Sequence, residues 1–265
     1  MILPPREIQE NYITGIVKLM LWYMHQLMVS QRVSFSDALL DYVDIYRKTA
    51  CFYLEDPSET GIRLPEWGHY RSKLEHIFRQ SLEDGAQSPV MSVEIAGLDL
   101  LWPALDERIS KGLPLVEYRQ ETSFGCFFYN LEGPVIDLHF VNKEIPNPPF
   151  EHPVHRQSEL RELLTHCQNT HAGLEMIQMG SWLNAYEPFR QLFPMSWVPS
   201  GETKSYNSLA WWGQFINYRG EFHVNNAARF RDTGYFPYPC TFNQCRISDL
   251  MAHLDAPLGE PQRNT

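Results

Sequence analysis

Apolar and polar positions follow a helical period in the first 112 residues and a strand period after them. In the first part, apolar residues recur three and four positions apart, as at Phe35, Leu39 and Tyr42, which places them on one face of a helix. In the second part, apolar and polar residues alternate in two runs joined by Glu132 and Gly133. This change of period predicts a helical region followed by a region that contains a sheet.

Four helices are predicted in the helical region. Pro4 and Pro5 precede the first, which covers about 24 residues, since proline fits the first turn of a helix. The second begins at Ser34, which forms a capping box with Asp37 and extends to Tyr53. The third starts near residue 65 and the fourth covers 92–111, where a proline at position 103 interrupts the pattern.

Strands and helices alternate in the second region. The predicted strands are 124–131 and 134–141, which form a hairpin, then 174–179 and 209–218. The predicted helices are 158–170, 184–193, 225–233 and 248–254. The fold class is therefore α+β: a helical region, 1–112, packed on a mixed, largely antiparallel sheet in 113–255, with a loose tail at 256–265.

Composition narrows the classes of function. The chain has 32 acidic and 22 basic side chains, a formal net charge of -10, which argues against nucleic-acid binding because phosphate contacts depend on Lys and Arg. The most apolar stretch, 13–29, includes Lys18 and is shorter than the roughly 20 apolar residues that cross a bilayer. Five scattered cysteines, without a C-x-x-C pair, favour buried thiols over zinc ligands. We expect a cytoplasmic protein without a membrane span, and a homo-oligomer stays open.

Asp137 and His139 are the first catalytic candidates. Both lie on the same face of a strand whose other residues are apolar, and an imidazole placed there can act as a general base near neutral pH. The alternatives are that this face is solvated, or that His139 is a hydrogen-bonded core residue.

The segment after the strand at 174–179 supplies further candidates. Ser181, Trp182 and Asn184 lie between a strand and a helix, where backbone N–H groups can hold a substrate. Tyr186, on the helix, can donate a proton, with the helix dipole lowering its pKa. The alternatives are helix capping by Asn184 with Glu187 and aromatic packing by Tyr186; a serine hydrolase is disfavoured because G-x-S-x-G is absent.

Histidines suggest a metal only weakly. His152 and His155 are three residues apart but flank a proline, whereas His166 and His171 point to different faces of a helix. We assign no metal ligands, although a mixed His/carboxylate site for zinc or iron, built from distant segments, stays open. Glycine-rich nucleotide loops are absent from the sequence.

The order of predicted elements after residue 112 resembles that of the GNAT acyltransferase superfamily: a hairpin, a helix, a strand, a helix and two closing strands, over about 100 residues. The resemblance implies acyl transfer from acyl-CoA, with Asp137 or His139 as the base and Tyr186 as the acid. In that superfamily a loop of the pattern Arg/Gln-x-x-Gly-x-Gly/Ala holds the pyrophosphate. The corresponding stretch here, 143–158, contains no glycine, so the usual phosphate-binding loop is absent and the cofactor is unknown.

Aromatic residues are concentrated late in the chain. Sixteen of the 35 lie between Trp182 and Phe242, including Trp211 and Trp212, and this density predicts an apolar pocket for a small-molecule substrate. Three interpretations follow: an enzyme, specifically an acyltransferase; a non-catalytic binding or assembly protein; and a metal-dependent enzyme with a His/carboxylate site.

Overall fold

The computed structural model of the chain describes residues 4–30, 32–54, 65–83, 90–113, 123–202 and 206–256. Contacts group the chain into two compact units. The helical unit consists of Met1–Glu117 and Lys204–Pro237, and the sheet unit of Tyr118–Thr203 and Tyr238–Thr265. The predicted α+β class is confirmed. Residues 204–237 belong to the helical unit, whereas the sequence pattern places them in the predicted sheet region, 113–255. The predicted tail, 256–265, lies outside the described residues, apart from Ala256.

The helices, in chain order, are α1 (Arg6–Ser30), α2 (Phe35–Asp37), α3 (Ile45–Lys48), α4 (Cys51–Leu54), α5 (Pro65–Glu83), α6 (Val90–Ser110), α7 (Pro153–Thr170), α8 (Glu187–Arg190), α9 (Leu209–Trp212), α10 (Val224–Thr233) and α11 (Ile247–Asp255). A π-helical turn covers Ala38–Tyr42, and 3-10 turns cover Trp182–Ala185 and Gly213–Phe215. The strands are β1 (Phe127–Glu132), β2 (Val135–Phe140), β3 (Met176–Ser181), β4 (Val198–Glu202) and β5 (Thr241–Arg246).

The centre of the helical unit is α1, which is apolar on most sides and packs on α6. The two helices approach closely at Gly97, where an added Cβ would lie 2.8 Å from Cδ1 of Leu21. α6 continues through Pro103, so the predicted interruption is wrong. Among the described residues, no helix has the length and apolar character needed to cross a membrane.

The predicted helix from Ser34 to Tyr53 is broken into short pieces. Ser34 does cap α2, since its Oγ accepts a hydrogen bond from the Asp37 N–H at 3.1 Å. The backbone is extended at Val43 and again at Thr49, whose hydroxyl donates to the Tyr46 carbonyl at 2.7 Å. A side chain that bonds to its own backbone competes with the helical ladder, which accounts for the second break.

The predicted strand at 209–218 is also wrong, because its first part is helical. α9 and the following 3-10 turn place Trp212 and Phe215 three residues apart on one side, where both pack against Phe230. Both tryptophan and phenylalanine suit a strand by intrinsic preference, but burial of their rings in a core of helices outweighs that preference.

The sheet has the strand order β1-β2-β3-β5-β4, and only β2 and β3 are parallel. The predicted hairpin is confirmed, and its turn contains Gly133 in the left-handed conformation (φ +61°). α7 connects the two parallel strands and begins at Pro153, five residues before its predicted start. The sequence pattern did not indicate β4 and β5, which are polar and short.

The two faces of the sheet differ in burial. One face carries Ile136, Leu138 and Ile177, which are buried in a core with residues of α7 and α11. The other face carries Asp137, His139 and Gln178, which are only half-buried. We call these the buried face and the half-exposed face.

Candidate functional site

The two parallel strands pair over only half of their length. Their ladder consists of three residue pairs, Val135–Met176, Ile136–Ile177 and Asp137–Gln178. Both strands are described throughout and continue for three more residues, 138–140 and 179–181, without pairing to each other. In those stretches β2 stays paired to β1, and β3 stays paired to β5. We call the unpaired stretches 138–140 and 179–181 together the β2–β3 gap.

An aromatic cluster lies at the carboxyl ends of these strands. Its rings come from the end of β2, the following loop, the segment after β3 and the residues before β5: Phe140, Phe150, Trp182, Tyr186, Phe189 and Tyr238. Neighbouring rings are 5.0–6.0 Å apart between centroids. Phe189 is fully buried, whereas the other five residues are half-buried. We call this set the aromatic patch.

Tyr186 belongs to this patch and precedes α8. It is the N-cap residue of a helix of four residues, so the predicted position inside a capped helix is wrong. Burial, with a smaller contribution from the neighbouring Tyr238 phenol, raises the pKa of Tyr186 above its ordinary value. The expected lowering by a helix dipole is therefore wrong, and the phenol keeps its proton at neutral pH.

Asp137 and His139 form a pair on the half-exposed face of β2. Nε2 of His139 lies 3.2 Å from Oδ2 of Asp137 and 3.0 Å from Nδ2 of Asn130 on β1. The imidazole stacks on Phe128 with 4.9 Å between centroids. The carboxylate and the stacked ring hold the imidazole in one orientation, as a general base requires.

The pair and Tyr186 lie on opposite sides of β2. Side chains alternate along a strand, so Phe140 points to the buried face and His139 to the other. Tyr186 reaches β2 through Phe150, which stacks on Phe140 at 5.0 Å. The described contacts therefore bring Asp137 and His139 together but do not bring Tyr186 to them; the catalytic roles of all three stay predictions.

Ser181 and Asn184 make hydrogen bonds within the protein. The Ser181 hydroxyl accepts from the Leu183 N–H at 3.1 Å and caps the 3-10 turn. The Asn184 amide donates to the carbonyls of Met179 and Thr241 and accepts from the Trp197 indole. Asn184 thus connects β3, β5 and Trp197 rather than capping a helix with Glu187, as was predicted.

The three predicted tryptophans lie in different surroundings. Trp182 is half-buried in the aromatic patch of the sheet unit. Trp212, in the helical unit, is fully buried, and its indole donates to the Tyr42 carbonyl at 3.1 Å. Trp211 packs on Tyr206 and Phe236 in the same unit. The substrate-binding role of these residues stays a prediction.

One group of residues has the composition of a metal site. Ligand atoms of Glu144, His155 and Glu159 lie within 4.8 Å of one another. A guanidinium nitrogen, Nη2 of Arg156, lies among them, 3.0 Å from Glu159 and 3.2 Å from Nδ1 of His155, and it also donates to Glu144. A divalent ion could be held there only if Arg156 moved away, because the guanidinium already supplies the positive charge between the carboxylates.

Arg156 is itself buried, with 1% of its side chain exposed, and it also contacts the Cys126 thiol. Glu159 accepts a hydrogen bond from the Cys126 N–H at 3.1 Å. Burial raises the pKa of Glu159, although the Cys126 N–H and Arg156 oppose that shift. Gly125 is required beside this cluster, since an added Cβ would lie 1.7 Å from a Glu159 oxygen. All five cysteines of the chain are buried free thiols, as predicted.

Sequence reasoning missed two parts of the site. Phe150 and Tyr238 complete the aromatic patch, but each lies in a proline-containing segment without strand or helix periodicity. The β2–β3 gap was also missed. The point at which two strands stop pairing depends on both strands together, so neither strand's own sequence indicates it. A cluster of aromatics beside prolines was the available signal for Phe150.

Comparison with known proteins returned no match: no family model, no curated protein and no solved structure resembles this chain at a significant level.

Proposed function

We propose that the sheet unit is an acyltransferase that binds its acyl donor in the β2–β3 gap and acts on a small molecule. The observation that carries the proposal is the parallel ladder that stops after three residue pairs, beside the aromatic patch. The proposal also draws on the resemblance to the GNAT superfamily, which rests on the predicted order of elements; the hairpin of β1 and β2, then α7, β3 and α8 follow one another in the chain. Ligands commonly bind at the carboxyl ends of parallel strands, where neighbouring connections separate.

The gap suits an extended ligand that has amides of its own. The stretches 138–140 and 179–181 do not pair with each other and offer backbone N–H and C=O groups, apart from the Met179 carbonyl, which accepts from Asn184. An amide-bearing chain can pair with such groups as an added strand does. The half-buried rings of the aromatic patch then cover the apolar part of the ligand. Acyl thioesters with a pantetheine arm have both features.

His139, oriented by Asp137, is the candidate general base in such a reaction. If the register of β2 and β3 is continued past their last pair, His139 lies across the gap from Gly180, a residue without a side chain. His139 would take a proton from the acceptor nucleophile, whose electron pair forms a bond to the acyl carbon. The bond between the acyl carbon and sulfur then breaks, and the thiolate leaves.

Tyr186 fits the hydrogen-bond donor on the other side of the gap. Burial raises the pKa of Tyr186, so its phenol keeps the proton at neutral pH and can donate a hydrogen bond to the leaving thiolate, which takes its own proton from solvent. The base, His139, and Tyr186 would therefore act from opposite sides of β2, with the reacting thioester between them.

Thiol release tests the proposal. Purified full-length protein is incubated with acetyl-CoA or acetyl-pantetheine and a panel of amines, alcohols and thiols, and the free thiol is titrated. We expect acceptor-dependent release that falls at least about 10-fold in H139A and in Y186F. Two matched controls, H76A and Y235F, change exposed residues of the same type in the helical unit and should keep full activity.

A second pair of variants tests the gap itself. G180V adds a branched side chain beside the gap, and G201V adds one on the edge strand β4, where nothing lies within 4 Å of the new Cβ. We expect G180V to abolish the quenching of Trp182 fluorescence by pantetheine and G201V to retain it. Failure of acetyl-CoA and of acetyl-pantetheine to bind or react would overturn the proposal and favour a non-catalytic binding protein.

A further inference from the structure

The amino terminus of α7 lies beside the aromatic patch. Phe150, which stacks on Phe140, precedes the first residue of the helix by three positions. A diphosphate attached to a ligand in the gap would meet this end of the helix, because α7 starts from the loop that follows β2.

The amino terminus of α7 has few free backbone N–H groups with which to bind a phosphate. Helix amino termini bind anions through N–H groups that have no partner in the helix. Here Pro153 has no N–H, and the N–H groups of His155 and Arg156 donate to the His152 carbonyl at 3.0 and 3.5 Å. In this described turn, only the N–H of Val154 is left without a partner.

The charge at this end also disfavours a diphosphate. Arg156 faces inward, and its guanidinium is shared between the carboxylates of Glu144 and Glu159. Arg156 is therefore already paired with two carboxylates, and the exposed His155 imidazole lies 3.6 Å from one of them, Glu144. Glu151 adds another exposed carboxylate, and these carboxylates would repel a nearby diphosphate.

We infer that the acyl donor is a thioester with a neutral, amide-bearing arm of the pantetheine type, recognised without its nucleotide diphosphate. This inference rests on the proposed function. Pantetheine, phosphopantetheine and CoA share the arm, and they differ in the phosphate groups that the end of α7 would meet.

Calorimetric titration of the full-length protein tests this inference with four probes: pantetheine, 4′-phosphopantetheine, CoA and ADP. We expect the Kd values of the first three to agree within about threefold and ADP not to displace pantetheine. Binding of phosphopantetheine more than about threefold tighter than that of pantetheine would overturn the inference of a neutral arm.

Two matched variants sharpen the test. Val154 and Val224 are both exposed, at 61% and 66%, in the first turns of α7 and α10. V154K places a cation at the end of α7 and should tighten CoA binding at least fivefold without changing pantetheine binding. V224K should change neither.

The outcomes separate the two proposals. CoA binding at least 10-fold tighter than pantetheine, or displacement of pantetheine by ADP, overturns this inference and leaves the acyltransferase standing. Absence of binding by pantetheine, phosphopantetheine and CoA alike overturns both.

Discussion

Asp137 and His139 contact each other on the half-exposed face of β2, with 3.2 Å between Oδ2 of the carboxylate and Nε2 of the imidazole. The same nitrogen lies 3.0 Å from the Asn130 amide, so a carboxylate acceptor and an amide donor compete for it. A protonated Nε2 bonds to Asp137, whereas an unprotonated Nε2 accepts from Asn130. The proton on Nε2 therefore decides which neighbour holds the ring.

The two neighbours should differ in their effect on catalysis. We expect D137N to lower kcat about 10-fold or more, because the imidazolium formed during transfer loses its carboxylate. N130A should lower kcat less, since it removes only the amide that contacts the neutral ring. Thiol-release kinetics measure both; equal losses in the two variants would contradict a special role for Asp137.

Alanine substitutions at Gly125 and Gly133 can be compared for their effect on the free energy of unfolding. Both have positive φ, +57° and +61°, but only at Gly125 would a Cβ collide with Glu159. We expect G133A to cost roughly 1–2 kcal/mol for the left-handed backbone. G125A should cost roughly 1–3 kcal/mol more, because the carboxylate must shift. Urea unfolding measures both, and equal costs would show that Glu159 moves away without penalty.

Arg156 should be essential to the stability of the sheet unit. R156A leaves Glu159 in a buried position without its guanidinium, and breaking a buried pair on one side costs about 3–5 kcal/mol. R190A removes an exposed pair with Glu187 and should cost less than about 1 kcal/mol. Urea unfolding of the two variants gives the comparison. If both lose the same small amount, Arg156 is not the cation that holds the carboxylates.

Removal of Arg156 also tests the metal interpretation. R156A removes the guanidinium that lies among the ligand atoms of Glu144, His155 and Glu159. We expect R156A to bind Zn²⁺ measurably tighter than the unaltered protein, as judged by calorimetry. Stoichiometric metal in the unaltered protein, by elemental analysis, would contradict the assignment of Arg156 as the resident cation.

His25 should make the helical unit sensitive to acid. It is buried, its Nε2 lies 3.4 Å from the Ser81 hydroxyl, and burial lowers its pKa. The unfolded chain, with a histidine pKa of about 6.5, therefore binds a proton before the folded chain does. Stability should be full above that pH and fall as the pH decreases below it.

Urea unfolding between pH 7.5 and 5.5 measures this loss. H25Q should reduce the pH dependence, while H76Q, at an exposed position of α5, should leave it unchanged. Burial also lowers the pKa of His223, which should account for part of the dependence that remains in H25Q. An unchanged slope in H25Q would contradict the assignment.

Much of the fold could be predicted from local patterns. The long helices α1 and α5, the hairpin of β1 and β2, and the helix α7 follow from periodicity and proline position, which act over a few residues. The strand predicted at 209–218 failed because Trp212 and Phe215 carry strand preference locally but pack in a helical core. Their environment comes from residues almost 200 positions earlier, such as Tyr23.

The candidate site was predictable only in part. The sequence by itself determined the α+β class and the alternation that places Asp137 and His139 on one face of a strand, since side-chain direction along a strand needs no partner. Only the tertiary structure decided that the ladder beside them ends early, that Phe150 and Tyr186 cover the buried side, and that Arg156 lies between two carboxylates. These features depend on pairing and packing between distant segments, and no local pattern encodes which segments meet.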